Sequence, residues 1–207
     1  MDMLVCPLCH HSAQWFMQDK KRSYFSCKQC EFIFADPKSH IPSKVNTTTT
    51  SEQKQLVSFL LSGINNIELQ NAAPLNILNF GQTIEQQHMS KLNRSRHNLK
   101  QFNPLYPAHS NELTQQYDLI ACHQILSKLS QPAKEWQLLQ RLLKPNALLV
   151  IEVPILSNIE QFHCWPNKKA LQHIAFYHAN TFQFIAHHFN LELVYQQKNL
   201  VLLRKQS

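Results

Sequence analysis

Glycine is nearly absent from this sequence of 207 residues, which contains only Gly63 and Gly81. A dinucleotide-binding loop of the form G-x-G-x-x-G needs three closely spaced glycines, because the backbone must turn tightly and approach the pyrophosphate. Two glycines so far apart cannot supply that loop. The sequence therefore argues against a nicotinamide-dependent dehydrogenase.

Long apolar runs are also missing. No uninterrupted apolar stretch reaches the ~18 residues that a membrane-spanning helix needs, so we expect no membrane partner. The segment from Met1 to Pro7 lacks the basic and apolar regions of a secretory signal, which makes the cytoplasm the expected location. In that compartment paired cysteines bind metal more often than they form disulfides.

Positive charge is concentrated only in the run Lys20, Lys21 and Arg22. The chain carries 20 Lys and Arg against 13 Asp and Glu, a formal net charge of +7. Such an excess is typical of proteins that bind nucleic acid. The scattered basic residues favour a solvated surface instead, and we predict the same for this short run. Nothing in the composition indicates the oligomeric state.

Four cysteines near the N-terminus form two C-x2-C pairs, Cys6 with Cys9 and Cys27 with Cys30. Each pair bends the backbone so that two sulfurs point to one place, and two such pairs complete the tetrahedron that zinc prefers. Four thiolates leave no open position for water, so the predicted zinc is structural. Residues 1–36 are therefore predicted to be a zinc ribbon.

The remaining cysteines and the adjacent histidines are not predicted to bind the metal. His10 and His11 follow a cysteine that already has a partner at the favoured spacing, so solvent exposure is expected. Cys122 and Cys164 lie outside any C-x2-C pair. We interpret them as thiols without a catalytic or metal-binding role.

The rest of the chain indicates a polar linker over residues 37–50 and an α/β domain over residues 51–207. Thr50 and Gln53 fit a capping box for an amphipathic helix over residues 51–63 that ends at Gly63. Strand and helix patterns then alternate, which favours a mostly parallel sheet covered on both faces. The predicted strands are residues 75–80, 98–102, 117–122, 147–153, 191–196 and 200–204, with helices from Pro132 and from about Asn180. The last two strands are predicted to form an antiparallel hairpin at the edge of the sheet.

Three local strings, Ile77–Gly81, Tyr117–Ile120 and Leu142–Pro154, resemble the first, fourth and fifth strands of the class I S-adenosylmethionine-dependent methyltransferases. Small bacterial members that carry an N-terminal zinc ribbon are the most similar group. The resemblance implies a Rossmann-like methyltransferase sheet, mostly parallel with an antiparallel C-terminal hairpin strand, preceded by the ribbon. It also implies S-adenosylmethionine (SAM) as cofactor.

The resemblance places the cofactor at the turn after the first strand, beside Asn79, Gly81, Thr83 and Glu85. Members of the family usually have an acidic residue and three glycines here. In this chain Asn79 replaces the acid, Gly81 is the one glycine, and Thr83 and Glu85 occupy the other two glycine positions. Side chains in those positions would lie where the cofactor is expected, which predicts weakened or absent binding.

Three further departures from the family support the same hypothesis. The segment 98–104 has no carboxylate to bind the ribose hydroxyls, and Ser127-Lys128 stands where related enzymes have an acid and a histidine. The stretch between Gly81 and Tyr117 is too short for two complete helix and strand units. Part of the cofactor-binding half is therefore predicted to be trimmed.

Among the twelve histidines, His123 is the best candidate for a ligand pocket, because it ends the fourth strand at the edge where open α/β sheets bind ligands. A hydrogen bond to a neighbouring loop is the alternative role. Glu152 lies in a buried strand and is expected to need a partner. His173 and His178 fall where related enzymes place substrate-facing residues, whereas His187-His188 are predicted to be exposed.

Two functions remain open. The first is a methyltransferase of unknown acceptor, whose ribbon helps to recognise or position that acceptor. The second is a noncatalytic methyltransferase-like module that binds a protein or nucleic acid through the ribbon and its basic surface. No catalytic residue can be assigned from the sequence.

Overall fold

The computed structural model describes residues 4–39, 49–68, 73–91, 96–107 and 111–207. These residues form two six-stranded sheets and three α-helices. In chain order the strands and helices are β1 (Leu4–Val5), β2 (Ser12–Gln18), β3 (Ser23–Ser26), β4 (Ile33–Ala35), α1 (Thr50–Glu68), β5 (Asn76–Phe80), β6 (Asn98–Phe102), β7 (Tyr117–His123), α2 (Pro132–Leu142), β8 (Leu143–Glu152), β9 (Ile155–Leu156), β10 (Ala175–His178), α3 (Ala179–His188), β11 (Leu191–Gln197) and β12 (Leu200–Lys205). No helix in this part of the chain is long and apolar enough to cross a membrane.

The larger sheet has the strand order β11-β12-β8-β7-β5-β6. Strands β6, β5, β7 and β8 are parallel, and β12 runs antiparallel to both β8 and β11. The predicted mostly parallel sheet with an antiparallel C-terminal hairpin strand is confirmed. The hairpin lies at the edge of the sheet as predicted: β12 pairs with β8, and β11 is outermost.

Both faces of this sheet are buried, which explains the continuous apolar runs of its central strands. Along β8, Leu149 and Ile151 join the core formed with α2 and α3, whereas Leu148 and Val150 join the core formed with α1. Successive side chains of a strand point to opposite faces, so α1 covers one face and the other two helices cover the other. The layers are therefore α/β/α.

Helix α1 is longer than predicted and begins with a different cap. It runs through Gly63 to Glu68, because Gly63 packs against Leu119 across the helix–sheet contact and does not end the helix. The cap is formed by Thr49 and Glu52: the Thr49 hydroxyl accepts from the Glu52 N–H at 3.3 Å, and the Glu52 carboxylate accepts from the Thr49 N–H at 2.8 Å. The predicted cap at Thr50 and Gln53 is wrong by one residue.

The segment between β5 and β7 is short, as predicted. In its described residues it contains β6 and two 3-10 turns, Gln86–Lys91 and Asn111–Thr114, and no α-helix. A parallel pair of strands normally needs a longer crossover that includes a helix. The half of the sheet beyond β5 is therefore reduced to one strand.

The N-terminal strands belong to the second sheet, whose order is β1-β2-β3-β4-β10-β9. Strands β1 to β4 are antiparallel neighbours, and β4 also pairs with β10, with Phe34 opposite Ala175 and Ile33 opposite Phe176. Strand β10 lies between β8 and α3 in the chain. Backbone hydrogen bonds therefore connect the predicted ribbon to the α/β part of the molecule.

An ion pair and a further backbone hydrogen bond add to this connection. Glu31 makes an ion pair with His178 at 2.7 Å, and the Ala133 N–H donates to the Pro7 carbonyl at 3.1 Å. Arg22 is only 4% exposed, so the prediction of a solvated basic run is wrong for this residue. The bounds 1–36, 37–50 and 51–207 for ribbon, linker and α/β domain stay a prediction.

Candidate metal centre and candidate active site

The four predicted metal ligands lie together in the structure. The sulfurs of Cys6, Cys9, Cys27 and Cys30 are all within 4.8 Å of one another, and each residue is at most 6% exposed. The Sγ atoms of Cys6 and Cys30 are 3.7 Å apart, and those of Cys9 and Cys27 are 3.4 Å apart. Sulfurs at about 2.3 Å from a tetrahedral zinc would be about 3.8 Å apart, so this donor set fits zinc.

The two cysteine pairs have the same backbone geometry. The residue after each pair, His10 or Glu31, has a positive φ of 61° or 53°, and its N–H donates to the carbonyl of the first cysteine. Cys6 and Cys27 in turn donate their N–H groups to the carbonyls of His11 and Phe32. This repeated turn brings each pair of sulfurs to the same place.

Hydrogen bonds and burial shift the pKa values of Cys6, Cys9 and Cys30 apart. A hydrogen bond from Cys30 lowers the pKa of Cys6 to about 6, while burial raises the pKa of Cys9 to about 12. The hydrogen bond to Cys6 and burial raise the pKa of Cys30 well above its usual range. Neighbouring thiolates repel one another, so a cation is needed to keep all four deprotonated.

The residues predicted to lie outside this centre do so. His10 and His11 are exposed. Cys122 is buried, and burial raises the pKa of its thiol, whereas Cys164 is exposed. Within the described residues, no group of three or more potential metal ligands includes either cysteine.

The turn after β5 lies at the carboxyl edge of the larger sheet. Gly81 has a φ of +151°, and its N–H donates to the Phe102 carbonyl at 2.8 Å. A Cβ at this glycine would lie 3.3 Å from the Cβ of Ile125 in the loop after β7. Thr83 and Glu85 are exposed, and Ile84 between them is buried under α1. The main chain of this turn therefore packs directly on the protein.

Side-chain amides hold this turn in place. Asn79 donates from Nδ2 to the Gln82 carbonyl at 2.8 Å and to Gln101 Oε1 at 3.3 Å. Gln101 Oε1 also accepts from the Ile84 N–H at 2.6 Å. Gln53 of α1 donates from Nε2 to the Thr83 carbonyl at 3.0 Å.

Gln53 completes a two-point contact, because its Oε1 accepts from the Glu85 N–H at 3.2 Å. Asn79 and Gln53 are fully buried. The Oδ1 atom of Asn79 is buried without a hydrogen-bond partner among the described residues. Three amide side chains thus fix the turn, and one buried acceptor remains beside it.

Sequence reasoning missed Gln53 and Gln101. Gln53 shares the apolar face of α1 with Leu56, Val57 and Leu60, and a polar residue at helical spacing within such a face is a usable signal. Gln101 is opposite Asn79 in the register of β5 and β6, which requires the strand pairing to be known.

His123 and Glu152 form a pair at the same edge. They are opposite each other on β7 and β8, and His123 Nε2 lies 3.5 Å from Glu152 Oε2. The ring of Phe59 on α1 lies 5.4 Å from the His123 ring. Glu152 was expected to need a partner, and His123 is that partner.

Two further charged groups act on this pair. Burial lowers the pKa of His123, Glu152 and Glu52 oppose that shift, and Lys128 adds to it. Burial also lowers the pKa of Lys128, against the influence of Glu52. The carboxyl edge therefore brings two acids and two bases close enough to interact electrostatically.

The other candidate histidines have separate roles. The Nδ1 atom of His173 lies 3.1 Å from the Asn167 carbonyl oxygen. Burial lowers the pKa of His173, and the positive charges of Lys128 and Arg22 lower it further. His178 caps α3 and pairs with Glu31, so it has a structural role. His187 and His188 are exposed on α3, as predicted.

The polar groups of the turn after β5 are already hydrogen-bonded within the protein. Strand β6 contains no carboxylate. The Oε1 atom of Gln101 on this strand accepts from the Ile84 N–H. The turn at Gly81 contacts Ile125, and its N–H and carbonyl groups are bound by Gln53 and Asn79.

Comparisons with known proteins identify a relationship. A family model described as a methyltransferase domain matches residues 23–196. No curated protein matches the chain. Among solved structures, a proposed methyltransferase of Bacillus halodurans aligns with a TM-score of 0.51 at 10% identity, over 68% of this chain and 67% of that one.

Two other solved structures align with lower scores. An O-methyltransferase family protein of Burkholderia thailandensis has a TM-score of 0.49 at 9% identity, over 76% of this chain and 60% of that one. A SAM-dependent methyltransferase of Thermotoga maritima has a TM-score of 0.43 at 11% identity, over 75% of this chain and 93% of that one. At such identities the likeness concerns the fold alone.

Proposed function

The chain belongs to the methyltransferase domain family, and we propose that it is a class I SAM-dependent methyltransferase whose affinity for the cofactor is weakened. SAM supplies an electrophilic methyl group. The protein's part in such a reaction is to align the acceptor and to hold or move its proton. The acceptor is not specified by the residues described above.

The observation that carries the weakened affinity is the amide-bound turn after β5. Asn79, Gln53 and Gln101 satisfy the main-chain groups of residues 82–85, and Gly81 packs on Ile125. What remains for a cofactor is the positive φ at Gly81, the unpaired Asn79 Oδ1 and the neighbouring His123. Thr83 and Glu85 would act from the rim, because both are exposed.

We further propose that Cys6, Cys9, Cys27 and Cys30 bind one structural zinc. The closed set of four thiolates leaves no position for a substrate or water. Zinc therefore stabilises the ribbon and takes no part in methyl transfer.

Isothermal titration of the zinc-loaded full chain with S-adenosylhomocysteine tests the affinity. We expect a Kd weaker than about 100 µM, because ligand binding must break several existing hydrogen bonds. A Kd in the low micromolar range would contradict the proposal.

A variant series locates the obstruction. Replacing Thr83 and Glu85 by glycine frees the backbone, and Gln53→Ala removes the two-point contact from α1. We expect the combined variant to bind at least about tenfold more tightly than the wild type. Gln55→Ala is the matched control, since Gln55 is exposed on the same helix. Equal affinities in all variants would show that the turn is not the obstruction.

A second candidate is the noncatalytic module that binds a protein or nucleic acid through the ribbon. Trp15 is 59% exposed and Val5 is 60% exposed on neighbouring strands of the ribbon, and exposed aromatic side chains can stack on bases. Transfer of labelled methyl groups from millimolar SAM to a cell extract separates the candidates. The enzyme is supported if the wild type incorporates label and a Gly81→Val variant does not. The module is supported if the wild type incorporates no label but binds single-stranded RNA in a salt-dependent way, and Trp15→Ala weakens that binding.

A further inference from the structure

Arg22 uses every one of its donors in the folded protein. Its Nε donates to the Tyr24 hydroxyl at 2.9 Å. Its two terminal nitrogens donate to four main-chain carbonyls, those of Lys168 at 2.5 Å, Ala170 at 3.3 Å, Leu171 at 3.1 Å and His173 at 2.7 Å. A guanidinium has five N–H groups in a fixed fork, so the donor set is saturated.

The charge of Arg22 is balanced at a distance. Asp19 accepts from the Tyr24 hydroxyl at 2.7 Å, and the guanidinium carbon lies 5.2 Å from the Tyr24 ring centroid. Burial would raise the pKa of Asp19, but hydrogen bonds from Lys21, Tyr24 and Arg22 hold that pKa below its usual value. Asp19 therefore stays ionised near the buried cation without touching it.

The four carbonyls belong to the segment Lys168–His173, which contains no β-strand. Its neighbour Ile174 donates its N–H to the Ser127 carbonyl at 2.8 Å and accepts from the Ala35 N–H at 2.9 Å. Ser127 precedes Lys128, which acts electrostatically on both His123 and His173. Arg22 is thus connected through one short segment to the charged edge of the larger sheet.

The ribbon has docking contacts besides those of Arg22. Strands β4 and β10 share backbone hydrogen bonds, Glu31 pairs with His178, and Pro7 bonds to Ala133. The contacts of Arg22 go instead to residues 168–173, which lie outside every β-strand. Its loss should therefore loosen that segment while the ribbon stays attached.

We propose that Arg22 is a positioning residue through which the ribbon sets the place of segment 168–174, which Ile174 connects to the charged edge of the larger sheet. That this edge is an active site rests on the proposed methyltransferase function. The dependence of the segment on Arg22 does not, because it follows from the hydrogen bonds alone.

Hydrogen exchange of the zinc-loaded full chain tests this dependence. The readouts are the amides of His173, bonded to the Ala170 carbonyl, and of Ile174, bonded to the Ser127 carbonyl. In Arg22→Gln we expect both amides to exchange at least about tenfold faster, with β4 and β10 amides unchanged. Arg22→Lys keeps the positive charge, but its three N–H donors are all on one nitrogen and cannot reach all the carbonyls. We therefore expect exchange of both amides to accelerate less than in Arg22→Gln.

Lys21→Gln is the matched control, because it removes the adjacent positive charge from an exposed side chain. Exchange at His173 and Ile174 should equal that of the wild type. If Arg22→Gln fails to fold, Arg22→Lys still decides the question. Unchanged exchange in Arg22→Lys and in any folded Arg22→Gln would overturn the proposal, as would equal acceleration in Lys21→Gln.

A titration followed by NMR gives a readout that loss of stability alone would not produce. Burial and the charges of Lys128 and Arg22 lower the pKa of His173. We expect that pKa to rise in Arg22→Gln and to stay at the wild-type value in Lys21→Gln. An unchanged pKa of His173 in Arg22→Gln would contradict the positioning role. Failure of SAM binding or methyl transfer in the wild type would affect the proposed function and leave these two readouts intact.

Discussion

At the scale of single residues, amide side chains hold the turn after β5 in one place. Asn79, Gln53 and Gln101 make the contacts that keep this turn folded onto the protein. Buried polar groups are costly when unpaired, so these contacts stabilise one conformation of the turn. The proposed weak affinity for SAM rests on these same contacts.

The two glycines should respond to alanine substitution in opposite directions. Gly63 is helical, and a Cβ there would meet Leu119 at 3.4 Å, an ordinary contact, so Gly63→Ala should stabilise the protein by about 0.5–1 kcal/mol. Gly81 has a φ of +151° and a Cβ there would lie 3.3 Å from Ile125. Gly81→Ala should therefore destabilise by about 1–3 kcal/mol. Urea unfolding measures both changes, and a shift of the same sign in both variants would contradict this reasoning.

Residues with local partners were predictable, and those with remote partners were not. The C-x2-C spacing places two sulfurs together within one turn, so the four cysteines could be identified from the sequence. Arg22 follows two exposed lysines and was therefore assigned to the surface. Its partners are carbonyls of residues 168–173, which no local pattern connects to it.

At the scale of elements, the ribbon is the part most dependent on an ion. Chelation of zinc should leave several thiols that cannot all ionise, because burial and mutual repulsion raise the pKa values of Cys9 and Cys30. We expect amides of β1 to β4 to lose protection from hydrogen exchange while those of β5 and β7 keep it.

Cysteine variants provide the control for chelation. Cys27→Ser should reproduce the loss of protection in zinc-loaded protein, since it removes one of the four ligands. Cys164→Ser should behave as the wild type, because Cys164 is exposed and outside the cluster. Persistent protection of the ribbon in Cys27→Ser would contradict the metal assignment.

Most helices and strands followed from periodicity, but the second sheet did not. The strands β6, β7, β11 and β12 lie within one residue of their predicted bounds. Strands β9 and β10 are too short to show alternation, and their partners are set by the docking of the ribbon. The antiparallel C-terminal strand of the larger sheet followed from the hairpin and the family resemblance, whereas the order of its strands was not predicted, since periodicity alone does not give pairing.

At the scale of the whole molecule, the buried His123 and the half-buried His173 should make stability depend on pH. Burial lowers the pKa of His123 and of His173 in the folded state. The unfolded chain therefore takes up protons first as the pH falls through about 6.5, and the free energy of unfolding decreases. The slope should not exceed about 1.4 kcal/mol per pH unit for each histidine.

Urea unfolding at pH 7.5 and pH 5.5 measures this dependence. His173→Gln should reduce the loss of stability on acidification, and His187→Gln should not, because His187 is exposed. Asp19, whose pKa is lowered, adds to stability above the unfolded pKa of about 3.9 and loses that effect only at lower pH. A loss of stability that is identical in all three proteins would contradict the assignment to His173.

The hydrogen bonds between β4 and β10 predict how truncated forms of this protein will behave. Deleting the N-terminal strands would remove β4, which is hydrogen-bonded to β10. The deletion would also expose the side chains of Phe162, Phe176 and Tyr177, which are buried in the intact chain. A bare strand edge beside such rings is a template for aggregation. Truncations that begin after the ribbon should therefore yield insoluble material, and partial mutagenesis is the safer route to its function.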